Sequence, residues 1–118
     1  MEKSDFIWFD GKFVDWDSAQ INVMTHTLHY GTGVFEGIRA RNTEKGVSIF
    51  RLNDHVDRLF ASADSYNLKI PYTKEVIFEA IKDVVSKNKL QSAYLSQTVF
   101  VGDAAMRLLP QYVHLLFS

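Results

Sequence analysis

Apolar and polar positions along the chain follow two different periods. Near the start, Phe6 to Phe9 and Lys12 to Trp16 flank Asp10-Gly11. Both turn residues tolerate positive φ, so this pair between two apolar runs predicts a β-hairpin. Val34 to Arg41 alternates with a period of two, Asn42 to Gly46 is polar, and Val47 to Arg51 returns as an apolar run, predicting a second hairpin. The period then lengthens. Leu52, Val56, Leu59, Phe60 and Ala63 recur at helical spacing within Leu52 to Tyr66, and Asn53 or Asp54 is available to cap the first turn. A second helix is predicted after Pro71, with Thr73 as N-cap and Val76, Ile77, Ala80, Ile81, Val84 and Val85 forming one stripe. Glu75 lies in its first turn and Lys87 and Lys89 near its end, as the helix dipole favours. Ser92 to Val101 reads as a strand, Gly102 to Met106 as a turn, and Tyr112 to Phe117 as a last strand. Two hairpins, two helices and two strands, in that order, predict an α+β domain: a mostly antiparallel sheet with two helices packed on one face.

Length changes little in this picture. With 118 residues, a single domain over 1–118 is expected, large enough to hold a core without staples. There is no Cys, which fits a reducing compartment. The first residues carry acids and no long apolar run, and no stretch approaches the roughly 20 apolar residues of a membrane helix. A cytoplasmic protein is the expectation. Thirteen basic and 14 acidic residues are interspersed for a net charge of −1, so neither nucleic acid nor an anionic membrane is expected as a partner. Nine Phe, five Tyr and two Trp imply a dense core or a surface meant for a partner.

Candidate chemistry concentrates in residues 26–39, HTLHYGTGVFEGIR. His26 and His29 have the spacing of helical metal ligands, yet no carboxylate, Cys or third His lies nearby in sequence to complete a shell, so a structural role in a turn is expected. The glycines lead into strand-like residues where a dinucleotide fingerprint or a P-loop must open a helix, which excludes both. On the strand, a period of two groups Phe35, Gly37, Arg39 and Arg41 on one face, with Val34, Glu36, Ile38 and Ala40 on the other. On Ser92 to Val101 it groups Tyr94, Ser96, Thr98 and Phe100. A face mixing aromatic, glycine and arginine positions fits the floor of a ligand pocket or a half-solvated sheet face; the pattern leaves both open. Arg58 falls well round the first helix from its apolar stripe, which makes it a solvated charge unless something outside the domain approaches it.

The runs IWFDGKFVDWDSAQINVMTHTLHYGTGVFEGIRA, FRLNDHVDRLFASA, KNKLQSAYL and FVGDAAM resemble the N-terminal part of branched-chain amino acid aminotransferases, fold-type IV pyridoxal phosphate enzymes. The resemblance extends from Phe6 to about Met106. It implies transfer of an amino group between Leu, Ile or Val and 2-oxoglutarate, with pyridoxal phosphate in a cleft between this small domain and a larger C-terminal one. By resemblance Tyr30, Phe35, Gly37 and Tyr94 are substrate-pocket residues, and Arg58 holds the cofactor phosphate. No metal is implied. The lysine that carries the cofactor belongs in the family to the large domain, and none of Lys3, Lys12, Lys45, Lys69, Lys74, Lys82, Lys87 and Lys89 matches it. The chain alone is therefore expected to contain no catalytic residue, to bind no cofactor and to be inactive. Arg41 stands where the family commonly has Tyr, Ser96 where it commonly has the Arg that takes the distal carboxylate of glutamate, and Arg107 to Tyr112 replaces a longer Gly-rich loop. The alternatives are a non-catalytic interaction module derived from this domain, or part of a D-amino acid aminotransferase or aminodeoxychorismate lyase. Self-association is expected as a dimer, through the face carrying Phe35, Tyr94 and Phe100 or through an edge strand at Tyr112 to Phe117.

Overall fold

The computed structural model describes residues 3–102 and the backbone of 113–117. Chain order is β1 (Phe6–Phe9), β2 (Lys12–Asp15), a single 3₁₀ turn (Trp16–Ser18), α1 (His26–Tyr30), β3 (Gly33–Thr43), β4 (Gly46–Ile49), α2 (Leu52–Ser65), α3 (Lys74–Lys87), β5 (Ala93–Val101) and β6 (Val113–Phe117). The strands form one sheet, ordered β2-β1-β6-β5-β3-β4, and every pair is antiparallel. This is the expected α+β architecture, with α2 and α3 on one face. The first turn is as expected: Asp10 and Gly11 both have positive φ, 49° and 92°.

The last strand is misplaced in the sequence reading. β6 is no edge; it lies between β1 and β5, and the edges of the sheet are β2 and β4. An almost uninterrupted apolar run, VHLLF, is what an interior strand carries, and among the described residues hairpin β1-β2 joins the rest of the sheet through it. Tyr112, the turn after Asp103 and the segment Arg107 to Tyr112 lie outside the described residues.

Parity on β3 places Val34, Ile38 and Ala40 in the core beside Leu95 and Val99 of β5. Against them pack Val56, Leu59 and Ala63 of α2 and Ile77, Ala80, Ile81 and Val84 of α3. Val76, grouped with the α3 stripe by periodicity, is 45% exposed. It lies at the margin of the stripe, one residue from fully buried Ile77. Thr73 caps α3 as expected, its hydroxyl accepting from the Val76 N–H at 3.3 Å. The α2 start differs: Arg51 is the N-cap, in a left-handed conformation with no side-chain cap. Asp54 binds the Arg51 Nε at 2.7 Å instead of capping. At the far end of α3, Asn88 docks the helix on β1. Its Oδ1 accepts from the Phe6 N–H at 2.8 Å and its Nδ2 donates to the Phe6 carbonyl at 3.0 Å. No helix among the described residues is long and apolar enough to cross a membrane.

Candidate functional site

The segment HTLHYGTG is a clamp on the end of β5. α1 is one short helix closed by Gly31 at φ 67°, whose N–H donates to the Thr27 carbonyl at 2.8 Å. The Thr27 hydroxyl accepts from the Val101 N–H at 2.8 Å and donates to the Thr32 carbonyl at 2.7 Å. His26 is buried, its Nδ1 within 2.7 Å of the Thr32 hydroxyl, and His29 Nε2 is 2.8 Å from the Val23 carbonyl. Both histidines thus have structural partners, and no group of three or more potential ligands that could hold a metal exists among the described residues. Tyr30, 59% exposed, stacks on His26 with ring centroids 4.6 Å apart.

The second feature is the sheet face turned away from the helices. Phe35 is 72% exposed and Tyr94 65%. Register pairs Phe35 with Thr98, Gly37 with Ser96 and Arg39 with Tyr94. The Tyr94 ring lies diagonally over Gly37, where any Cβ would overlap its ring and hydroxyl. Glycine is what lets this exposed ring lie across the strand, since a Cβ would push it aside, while the φ of Gly37 is ordinary. Arg39 and Arg41 continue the face, and with Thr43, Ser48 and Phe50 they line an open groove of about 420 Å³. Phe100 departs from this grouping. It shares the face by parity but is 5% exposed, packed near Phe9 under the segment that carries Ile21 and Thr25.

The third feature lies on the other side of β3. Glu36, 5% exposed, points toward α2. Arg58 donates to it twice, Nε to Oε1 at 2.6 Å and Nη2 to Oε2 at 2.8 Å, and His55 Nδ1 donates to Oε2 at 2.9 Å. Burial alone would raise the Glu36 pKa; hydrogen bonds and charge from Arg58 and His55 outweigh it and hold the carboxyl below its ordinary value. Arg58 is therefore not the simply solvated charge that periodicity implied. Its side chain is 65% exposed but anchored at one edge of its fork. Next to Glu36 across the β3–β5 pair sits Gln97, 1% exposed, whose Oε1 has no hydrogen-bond partner among the described residues. Parity grouped Glu36 with Val34, Ile38 and Ala40 but gave it no role.

The structure does not merge these features into one cluster. Phe35, Gly37 and Tyr94 share the bare face, Arg58 lies behind β3, and the ring contacts of Tyr30 are with His26 and His29. Bare face and Arg58 are connected by an open edge. β4 pairs only with Ala40–Thr43, so among the described residues the outer side of β3 from Gly33 to Ile38 has no strand beside it.

Comparison with known proteins gives this arrangement a family. Residues 33–115 match the amino-transferase class IV family. The branched-chain-amino-acid aminotransferase of Pseudomonas aeruginosa is 50% identical over 107 residues, covering 91% of this chain and 35% of that protein. Its Escherichia coli (strain K12) counterpart is 45% identical over 109 residues, 92% of this chain and 35% of that protein. The chain therefore spans about a third of the length of the curated relatives it matches. The crystal structure of the Escherichia coli enzyme superposes with a TM-score of 0.94 at 42% identity, over 98% of this chain and 39% of that one. The T.th. branched-chain amino acid aminotransferase complexed with N-(5'-phosphopyridoxyl)-L-glutamate does so with a TM-score of 0.94 at 40% identity, over 99% of this chain and 40% of that one. With a family match spanning β3 through β6 and the fold shared to this degree, the chain belongs to the class IV aminotransferases.

Proposed function

We propose that this chain builds the phosphate anchor and the substrate-facing wall of a branched-chain amino acid aminotransferase that works with pyridoxal phosphate. The observation that carries this reading is an aromatic wall left uncovered on one side of an open strand, with an anchored but two-thirds exposed guanidinium on the other. Arg58 fits a phosphate: Glu36 engages Nε and Nη2, and Nη1 remains for an incoming anion. When bound, pyridoxal phosphate supplies the electron-accepting ring on which amino-group transfer runs. The chain's own residues orient and enclose. Phe35 and Tyr94 offer apolar surface to a branched side chain, and Gly37 leaves the Tyr94 hydroxyl room to lie over the strand as a donor. Tyr30, carried on its clamped turn, is assigned to the same pocket. Ser96, opposite Gly37, has only a short hydroxyl and no cation to pair with a distal carboxylate, so the 2-oxo acid partner is recognised by other groups.

In a chimera joining this sequence to the remaining length of the Pseudomonas aeruginosa relative, Arg58→Ala should weaken cofactor retention. Charge-assisted hydrogen bonds of this kind contribute about 1.5–3 kcal/mol, or roughly ten- to a hundredfold in affinity. Equilibrium dialysis against pyridoxal phosphate measures it, and an unchanged affinity would refute the anchor.

The 118-residue chain alone is proposed to hold no cofactor covalently. All eight lysines are exposed, whereas an amine activated for this chemistry is desolvated or set beside another cation. Lys3, Lys74 and Lys82 are instead paired with Asp17, Asp57 and Glu79. Borohydride treatment of the chain mixed with pyridoxal phosphate should give only scattered, substoichiometric labelling by peptide mapping. One stoichiometrically labelled lysine would contradict the proposal.

A further inference from the structure

We infer that Glu36 is a positioning residue for Arg58: a buried carboxylate that grips one edge of the guanidinium and turns the remaining donors toward an anionic ligand. The inference rests on the phosphate-anchor reading above. A carboxylate that is only 5% exposed is costly to bury, and this one is fully engaged. Oε1 takes Arg58 Nε; Oε2 takes Arg58 Nη2 and His55 Nδ1. The fork geometry fixes the plane of the guanidinium, and the His55 bond holds the carboxylate in place. Glu36 itself is set by β3, whose neighbours Val34 and Ile38 lie in the core on the same face. The orientation of an exposed arginine on α2 is thereby locked to the sheet.

Two effects of Glu36 on a phosphate oppose each other. Its negative charge repels the anion, while the lock spares Arg58 the rotamer freedom it would otherwise lose on binding. Repulsion reaches the ligand through a guanidinium that is 65% exposed, where solvent and salt screen it. Orientation is not screened. The lock therefore wins by a modest margin: removing the charge should weaken a phosphate ligand about fivefold, a fraction of the roughly thirtyfold that the full rotamer freedom of an arginine represents.

The test uses the chimera with the Pseudomonas aeruginosa relative described above and two probes, pyridoxamine 5'-phosphate, which has no aldehyde to label lysines, and pyridoxamine, which lacks the phosphate. Binding is followed at the Arg58 Nε resonance in ¹⁵N-labelled protein. Glu36→Gln keeps the shape of the side chain and one acceptor. It should lower affinity for the phosphorylated probe about fivefold while leaving the unphosphorylated one unchanged. The free Arg58 resonance should lose its dispersion, as an untethered side chain does. Equal or tighter binding of pyridoxamine 5'-phosphate by Glu36→Gln overturns the inference, as does equal weakening of both probes, the mark of a merely structural ion pair. A wild-type Arg58 resonance indifferent to pyridoxamine 5'-phosphate removes the anchor reading and this inference with it. Unchanged affinity of Glu36→Gln for the phosphorylated probe, with the wild-type Arg58 resonance still responding to it, removes this inference alone. Should Glu36→Gln fail to fold, Glu36→Asp, which keeps the charge but is one methylene too short for the fork, decides by the same comparison.

Discussion

Ile77→Ala should destabilise the chain by about 2–5 kcal/mol, while Val76→Ala, one residue earlier on the same helix, should cost under about 1 kcal/mol. Ile77 is 0% exposed and Val76 45%. Truncating Ile77 removes methyl groups from α3 inside the core cluster that also holds Leu59, Ile81 and Val99, all themselves at most 1% exposed, and leaves a cavity there. A rigid two-layer core cannot collapse into such a hole without moving a helix or a strand, so both the transfer and the cavity contributions persist. For a domain whose total stability is about 5–15 kcal/mol, the loss approaches unfolding at body temperature. Urea denaturation followed by circular dichroism separates the two variants. A midpoint for Ile77→Ala within experimental error of Val76→Ala would mean that α3 is not seated as described.

That contrast also shows where sequence patterning reaches its limit. Period alone fixes which side of α3 is apolar, but Val76 and Ile77 are adjacent along the helix and equally apolar. What separates them is the distance to the sheet, a property of packing rather than of the pattern. Strand parity was more informative, because one face of β3 is buried from Val34 to Ala40 and alternation has only two answers. It failed for Phe100, whose covering segment belongs to another part of the chain. It also failed for the order of strands, since nothing in the run VHLLF says which neighbours it will have. Within the candidate site, Tyr30, Phe35, Gly37, Tyr94 and Arg58 were named through resemblance, not chemistry. The Glu36–Arg58–His55 group was missed because its members lie 19 and 22 residues apart and none carries a motif of its own. Neither Asn53 nor Asp54 is the cap of α2, because the helix begins at Leu52 and places both inside its first turn, where Asp54 pairs with Arg51.

The face that parity identified is left bare by this chain, and that predicts association. Phe35, Tyr94 and Phe50 are 72%, 65% and 62% exposed, and α2 and α3 both cover the opposite side of the sheet. Apolar surface of this extent on one face usually marks an interface. We propose that the chain forms a dimer through it. Arg39 and Arg41 lie on the same face and would repel their counterparts in a two-fold contact, but guanidinium groups stack on aromatic rings, and added salt screens the repulsion. Association should therefore tighten as salt rises, the opposite of a contact held by ion pairs. The edge-strand route takes a new form: β6 is interior, and among the described residues the open strand edges are those of β2, β4 and Gly33–Ile38 of β3. Sedimentation velocity over a wide concentration range measures the equilibrium, and a strict monomer at the highest concentration would dispose of the proposal. Phe35→Asp sets a charge at the centre of the face, where losing one buried aromatic anchor costs about 2 kcal/mol or more, and should weaken the dimer about thirty- to a hundredfold. A dimer that survives Phe35→Asp at full strength is joined along an open strand edge, because strand pairing uses backbone groups that the substitution leaves in place.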